Sequence, residues 1–77
     1  MRKIRITTDF IRLDSLLKLA GMVSTGGQAK VMIAEGLALV NGEVCLMRGK
    51  KLRNGDTVEF EGEKVEIAAT EIAAEGE

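Results

Sequence analysis

The fold of this chain is decided by residues 13–42, whose sequence is LDSLLKLAGMVSTGGQAKVMIAEGLALVNG. In the first part of this stretch, apolar residues recur at the i, i+3, i+4, i+7 spacing that forms one stripe along a helix. Gly21 follows the last of them and marks the end of that helix, because glycine readily adopts the left-handed conformation found there. The pattern predicts a short helix that buries Leu13, Leu16, Leu17 and Ala20.

A second helix is predicted to begin within residues 25–28, whose sequence is TGGQ. This sequence has the form of a capping box, with Thr25 as the N-cap and Gln28 three residues later. Ser24 is an alternative N-cap, and the helix is expected to end near Gly36. Because two short helices are not stable alone in water, they must pack on each other and on a sheet. The residues that the second helix should bury are Ala29, Met32 and Ile33.

Alternating apolar and polar residues predict the strands that surround these helices. Asn41-Gly42 predicts a tight hairpin turn, because both residues tolerate the positive φ that a type I′ turn requires. Residues 47–56 are polar, basic and punctuated by glycine, and they predict a surface loop with a turn at residues 54–56. The predicted strands are 2–7, 37–40, 44–46, 57–60 and 64–67. The residues of the last two strands that should face the core are Val58, Phe60, Val65 and Ile67.

These elements predict an α+β fold, in which two short packed helices lie against a small, mainly antiparallel sheet of about four to five strands. We expect one domain over residues 1–68, with its core motif at about 12–60, because a chain of 77 residues is short for two. Such a small domain buries only about 60% of its unfolded surface, which leaves little room for a deep catalytic pocket. Residues 69–77 are small and acidic, and we expect a flexible tail there.

The charge is unevenly distributed along the chain. Residues 1–55 carry ten lysine or arginine residues against four acids, and residues 56–77 carry one lysine against eight acids. The first segment therefore has a net charge of +6 and the second of −7, an asymmetry that often accompanies a polyanionic partner. The chain shows neither a signal peptide nor an apolar run of about 20 residues, and its single cysteine excludes an internal disulfide, so we expect a cytoplasmic protein.

The sequence offers little that suits catalysis. It contains no His and no Tyr, and His is the commonest general base. Cys45 falls in a predicted strand, where a buried small residue is a simpler interpretation than a nucleophile, since no imidazole can activate it. One Cys without any His also provides no metal-binding cluster. We therefore expect a protein that is not an enzyme and that uses neither a metal ion nor another cofactor.

Basic residues are the most informative candidates for binding. Four of them lie within residues 47–53 and three belong to the helix pair. If the loop and the helices share one face, these residues would form a positive patch suited to phosphates. The N–H groups of Gly26 and Gly27 at a helix start can also bind an anion. Phe10 and Phe60 alone make no stacking platform for single strands, which favours structured RNA recognised by its shape and backbone. The basic residues are Arg12, Lys18, Lys30, Arg48, Lys50, Lys51 and Arg53.

An ordered set of residues in this chain resembles the RNA-binding domain named after small-subunit ribosomal protein S-four, which contains the αL motif. The set begins with Arg12-Leu13-Asp14, reaches Val40-Asn41-Gly42 at the predicted hairpin, and ends with Gly55-Asp56 and Val58. Between these points it comprises Leu17, Gly21, Ser24, Ala29-Lys30, Ile33, Gly36 and Leu52. The sequences STGG at 24–27 and RGKKL at 48–52 are most similar to the small stand-alone bacterial members of the YaaA/YbcJ type.

The resemblance implies that RNA is held by the helix pair and by the loop that follows. Many members of the family carry arginine directly after the serine that corresponds to Ser24, whereas this chain has Thr25 and then two glycines. Because of this departure, we expect RNA to be contacted mainly by backbone N–H groups and by the loop. The candidate RNA-binding residues are Arg12, Lys18, Ser24, Thr25, Gly26, Gly27, Gln28, Lys30, Arg48, Lys50, Lys51 and Arg53.

The sequence as a whole predicts a non-catalytic RNA-binding protein. Its expected partner is structured RNA, either ribosomal RNA or tRNA, within a ribosome or a ribosomal precursor, with no membrane partner and with the monomer favoured. Two alternatives stay open. A protein-interaction module would keep the fold and bind a protein through exposed Leu19, Val31 or Met47. An accessory subunit of an RNA-modifying enzyme would depend on a catalytic subunit supplied in trans.

Overall fold

Two helices and seven strands make up the computed structural model, which describes residues 2–69. Five strands form one mixed sheet in the order β1-β7-β6-β3-β4, and β2 pairs with β5 in a separate two-stranded sheet. The elements are β1 (Arg2–Ile6), β2 (Ile11–Arg12), α1 (Leu13–Leu19), α2 (Gly26–Ala34), β3 (Ala38–Val40), β4 (Glu43–Val44), β5 (Lys51–Leu52), β6 (Thr57–Phe60) and β7 (Glu63–Ala69). The predicted α+β fold with a small, mainly antiparallel sheet is confirmed.

The helix pair covers one face of the five-stranded sheet. The apolar stripe predicted on α1 is buried, with Leu13, Leu16 and Leu17 fully inaccessible to solvent. On α2, Ala29 and Ile33 are buried as predicted, whereas Met32 is only partly buried against the core. The alternate residues of the sheet strands join the helices in one hydrophobic cluster, because successive side chains of a strand point to opposite faces. The sheet residues in that cluster are Ile4, Ile6, Ala38, Val40, Val58, Phe60, Val65 and Ile67.

One pairing in the large sheet is parallel. Strand β1 lies beside β7 in parallel register, from Arg2 opposite Val65 to Ile6 opposite Ala69, whereas the other neighbours in this sheet are antiparallel. Strand β7 thus continues through Ala69, beyond the predicted end at residue 67. The tail predicted for 69–77 lies, from residue 70 onward, outside the described residues.

The β3–β4 hairpin turns at the predicted residues. Asn41 has a φ of 52° and Gly42 a φ of 86°, which are the positive values that a type I′ turn requires. The Asn41 side chain reinforces the turn, because its Oδ1 accepts a hydrogen bond from the backbone N–H of Thr57 at 3.0 Å. The returning strand β4 is Glu43–Val44, shorter and earlier than the predicted 44–46, although the Cys45 N–H still donates to the Ala38 carbonyl at 3.0 Å.

The β2–β5 pair was not predicted, since its two-residue strands are too short to show a period. Ile11 lies opposite Leu52 and Arg12 opposite Lys51, in an antiparallel register. Part of the predicted 47–56 loop is therefore a strand. Leu52 is fully buried in the core although its sequence neighbours are charged, so this one apolar side chain anchors the basic segment to the domain.

Replacing Leu52 with alanine should destabilise the protein strongly. Removing a fully buried leucine side chain leaves a cavity, and the free energy of unfolding should fall by about 2–5 kcal/mol. Leu46, which is 62% exposed, is the matched control, and its replacement with alanine should change stability by about 0.5 kcal/mol or less. Urea unfolding followed by circular dichroism measures both. Equal losses in the two variants would contradict the anchoring role of Leu52.

Candidate nucleic-acid interface

The β2–β5 pair presents cations on its outer side. Arg12 and Lys51 are opposite each other in the register and both are exposed, while Leu52 points inward. Arg53 follows two residues after Lys51, and side chains two positions apart in extended chain lie on the same side. Together with the preceding loop they form a surface that we call the basic ribbon. The basic ribbon consists of Phe10, Arg12, Arg48, Lys50, Lys51 and Arg53.

Main-chain hydrogen bonds hold residues 48–53, which we call the basic loop, against the beginning of α1. The N–H of Leu13 donates to the carbonyl of Lys50 at 2.9 Å, and the N–H of Asp14 donates to the carbonyl of Arg48 at 3.0 Å. The first N–H groups of a helix have no partner within the helix, so the loop satisfies groups that would otherwise be unpaired. This arrangement brings the side chains of residues 48–53 next to Arg12.

The guanidinium group of Arg12 is held by a carboxylate and lies close to Gly49. Its Nη2 donates to Asp14 Oδ2 at 3.0 Å, and a side chain added at Gly49 would come within 3.9 Å of the guanidinium nitrogens. Asp14 is itself fixed, because its Oδ1 accepts the Ser15 N–H at 2.8 Å. The Arg12 side chain remains half exposed in this position. It therefore presents an oriented cation to solvent.

An aromatic ring lies among the cations, which sequence reasoning missed. The Nζ of Lys51 is 4.8 Å from the centroid of the Phe10 ring, and the Cζ of Arg53 is 5.5 Å from the same centroid. Both distances fall within the about 6 Å range of cation–π attraction. The sequence contained one indication that Phe10 lies among the cations. Phe10 precedes Arg12 by two residues, so the two side chains share a side once β2 is known to be extended.

The N-terminus of α2 is capped by the predicted pair Thr25 and Gln28, with the reciprocal bond of the capping box shifted by one residue. The hydroxyl oxygen of Thr25 accepts the Gln28 N–H at 3.0 Å, and Gln28 Oε1 accepts the N–H of Ser24, rather than that of Thr25, at 2.8 Å. Thr25 is therefore the N-cap, and the alternative cap at Ser24 is wrong. The N–H groups of Gly26 and Gly27 have no hydrogen-bond partner within residues 2–69, and both residues are exposed. These two N–H groups are available to an anion.

The candidate residues fall into two groups and two isolated side chains. The first group is the set of five cations in the basic ribbon, and the second is residues 24–28 at the start of α2. Lys18 and Lys30 are exposed on the helices, and within residues 2–69 neither side chain forms a hydrogen bond or an ion pair. The structure thus joins Arg12 to the loop directly, whereas no side-chain hydrogen bond or ion pair joins Lys18 or Lys30 to either group within residues 2–69.

Few of the cations are neutralised by contact. In the described part of the chain the ion pairs are Arg2 with Glu63 and Arg12 with Asp14. The carboxylate of Asp56 accepts the backbone N–H of Arg53 at 2.8 Å and leaves the guanidinium group of that residue unpaired. In four residues of the basic ribbon, the charged side-chain nitrogens therefore have no carboxylate oxygen within 4.0 Å among residues 2–69; these residues are Arg48, Lys50, Lys51 and Arg53.

Three further features of residues 2–69 concern metal ligands, helix length and surface depressions. Within residues 2–69, no three side chains of the His, Cys, Asp or Glu type converge as metal ligands would. In the same part of the chain no helix is both long and apolar enough to cross a bilayer. A shallow depression lies beside the β3–β4 hairpin, and it is lined by Val40, Asn41, Glu43, Val44, Cys45, Leu46, Met47 and Lys50.

Comparison with known proteins identifies the family. The S4 domain family matches residues 4–68. A protein of Bacillus subtilis (strain 168), named as a probable ribosome maturation protein, RlbA, is 48% identical over 59 residues, which cover 77% of this chain and 83% of the relative. YbcJ of Escherichia coli (strain K12) is 42% identical over 59 residues, which cover 77% of this chain and 84% of YbcJ.

A solved structure agrees with the sequence comparison. The solution structure of YbcJ from E. coli, described as having an αL motif involved in RNA binding, matches this fold with a TM-score of 0.69 and 37% identity. The match covers 90% of this chain and 89% of that structure. The resemblance drawn from the ordered residues is therefore confirmed, and the chain belongs to the S4 domain family of RNA-binding domains.

Proposed function

We propose that this protein binds structured RNA without catalysing a reaction, through the basic ribbon together with the N-terminus of α2. The observation that carries the proposal is the gathering of five cations around the beginning of α1, of which four have no carboxylate partner within residues 2–69. Each such lysine or arginine can replace counterions condensed on a phosphate, and their release favours binding. No catalytic group is needed for this role.

The proposed recognition is of the RNA backbone rather than of unpaired bases. Phe60 is buried in the core, and the ring of Phe10 is in contact with two cations, so neither ring offers a free stacking surface. Structured RNA presents phosphates at fixed spacings, which an array of oriented cations can match. The N–H groups of Gly26 and Gly27 would add a phosphate contact and help to set the register.

Ribosomal RNA is the proposed target, with tRNA as another structured RNA of the same chemistry. The name of the B. subtilis relative refers to ribosome maturation, and the YbcJ structure is described by an RNA-binding motif. A ribosomal precursor exposes RNA phosphates before later proteins cover them, which suits a small cationic domain. We accordingly infer a cytoplasmic location, because bacterial ribosomes are assembled there.

Binding to structured ribosomal RNA should depend steeply on salt. If about four phosphates are engaged, the slope of log affinity against log salt is about −3, and affinity falls about sixtyfold between 50 and 200 mM salt. Replacing Lys50 and Lys51 with glutamine should reduce the magnitude of the slope by about one for each phosphate that the variant no longer neutralises. Filter binding or fluorescence anisotropy across a salt series measures these slopes.

The control removes the same charge from another surface. Lys3 and Arg5 are exposed on β1, alternate with buried residues, and form no ion pair within residues 2–69. Replacing both with glutamine should leave the salt slope unchanged. The proposal is contradicted if wild-type binding shows no salt dependence, or if the two double variants behave alike.

A second candidate function is contact with a protein, which the exposed apolar side chains beside β4 favour. Val44, Leu46 and Met47 are all more than half exposed, and Lys50 lies in the same depression. Leu19 and Val31 on the helices are also exposed, as the protein-interaction alternative requires.

Two charge-introducing variants separate the two functions in a co-sedimentation assay with purified ribosomal precursor particles. RNA binding predicts that replacing Lys50 and Lys51 with glutamate abolishes co-sedimentation, because it places negative charge against phosphate. Protein contact predicts that this variant still co-sediments, whereas replacing Leu46 and Met47 with glutamate abolishes it. Retention of the first variant together with loss of the second would overturn the RNA-binding proposal.

A further inference from the structure

The half-buried position of Phe10 in the basic ribbon does not by itself explain what its ring does there. We propose that Phe10 is a positioning residue, whose ring holds the side chains of Lys51 and Arg53 in the arrangement that receives RNA phosphates. This inference rests on the proposed RNA-binding function, and it assigns to a non-polar residue the task of orienting two of the binding cations. It is carried by the distances of 4.8 Å and 5.5 Å from the two cationic groups to one ring centroid.

The ring is itself held by the surrounding structure. Phe10 immediately precedes β2, whose Ile11 and Arg12 are paired with Leu52 and Lys51 of β5. Its carbonyl accepts a hydrogen bond from the Thr8 hydroxyl at 2.7 Å, which fixes the chain just before the strand. The ring thus stands on the same two-stranded unit that carries the cations, so its position relative to them is set by strand register.

The backbones of Lys51 and Arg53 are fixed as well. The N–H of Arg53 donates to Asp56 Oδ2, and the N–H of Asp56 donates to the Arg53 carbonyl at 3.0 Å, so both main-chain groups of Arg53 are engaged in the turn. Lys51 lies in β5 opposite Arg12. What remains free in both residues is the long side chain, and this is the part that the ring contacts.

An aromatic ring orients a cation without cancelling its charge. A carboxylate in the same place would hold the lysine and arginine equally well, but it would neutralise them and repel phosphate. The negative face of the ring attracts a cation through its quadrupole and contributes no net charge. Within residues 2–69, the charged side-chain nitrogens of Lys51 and Arg53 have the ring as a neighbour and no carboxylate oxygen within 4.0 Å, which is the combination expected of cations available to a polyanion.

Orientation before binding should improve affinity. Free lysine and arginine side chains have many rotamers, and they lose this freedom when they bind a phosphate in one geometry. Contact with the ring restricts the rotamers in the unbound protein, so less entropy is lost on binding. The contact also keeps two like charges on one small surface, where their mutual repulsion would otherwise drive the side chains apart.

The test compares Phe10→Leu, which removes the ring and keeps an apolar side chain, with Phe10→Tyr, which keeps the ring. In the free wild-type protein, proton NMR should show upfield ring-current shifts at the Lys51 ε-methylene and the Arg53 δ-methylene. These shifts should persist in Phe10→Tyr and disappear in Phe10→Leu. Because this readout needs no RNA, it tests the geometry independently of the proposed function.

The second part measures binding to a structured ribosomal RNA fragment at fixed salt. Phe10→Leu should bind about fivefold more weakly than wild type, because the two cationic side chains regain rotamer freedom that they must lose on binding, and Phe10→Tyr should bind within about twofold of wild type. In a chain that also carries Lys51→Gln and Arg53→Gln, adding Phe10→Leu should cause no further loss, because the ring then has no cation to position.

The outcomes separate the inference from the function on which it rests. If Lys51→Gln with Arg53→Gln weakens binding but Phe10→Leu does not, the positioning role is overturned and RNA binding stands. If the Lys51→Gln with Arg53→Gln variant binds as wild type does, the proposed interface fails and the inference fails with it. An equal loss from Phe10→Leu in both backgrounds means that the ring contacts RNA directly, which also overturns the positioning role. Absence of ring-current shifts in the wild-type protein overturns it whether or not Phe10→Leu folds.

Discussion

The docking of the basic loop onto the beginning of α1 is the constraint on which the rest of this structure depends. Two main-chain hydrogen bonds join the N–H groups of Leu13 and Asp14 to the carbonyls of Lys50 and Arg48. They satisfy helix N–H groups that would otherwise lack partners within the helix, and each such hydrogen bond contributes about 0.5–1.5 kcal/mol to holding the loop in place. Residues far apart in the chain therefore meet at one surface, and Leu52 anchors that surface in the core.

Two different devices keep the cations of this surface in place. Arg12 is oriented by an ion pair with Asp14, and the carboxylate offsets part of its positive potential. Lys51 and Arg53 are instead oriented by an uncharged ring, which leaves their charge available. A binding surface for a polyanion needs both order and net positive charge, and the mixture of one paired and four unpaired cations within residues 2–69 supplies both. Two described acids lie at this surface, where Asp14 pairs with Arg12 and Asp56 accepts the Arg53 N–H. Others lie on β6 and β7.

The parts of the fold that could be predicted from the sequence are those with a period or a strong local signal. The spacing of Leu13, Leu16 and Leu17 predicted α1, and the Asn41-Gly42 pair predicted the hairpin, because each signal acts over a few residues and has one structural solution. The capping box at Thr25 and Gln28 was predictable for the same reason.

What could not be predicted depends on contacts between distant segments. Strands β2 and β5 are two residues long, so neither shows an alternation, and their existence follows from pairing with each other. The place of Phe10 beside Lys51 and Arg53 follows from that pairing and was hidden with it. The position of Lys18 and Lys30 outside the basic ribbon could not be predicted either, because a charge on an exposed helix face has no contact that would fix its neighbours. The RNA-binding assignment of the individual residues stays a prediction.

The most direct test of the account is a map of the RNA-contacting surface in solution. Amide shifts of the nitrogen-15-labelled protein, followed during titration with a structured ribosomal RNA fragment, report which residues are contacted. The account predicts that the largest changes occur at residues 10–14 and 48–53, with further changes at Gly26 and Gly27, and that the open sheet face around Lys3, Glu59 and Lys64 changes little. Changes concentrated on that open face would contradict it.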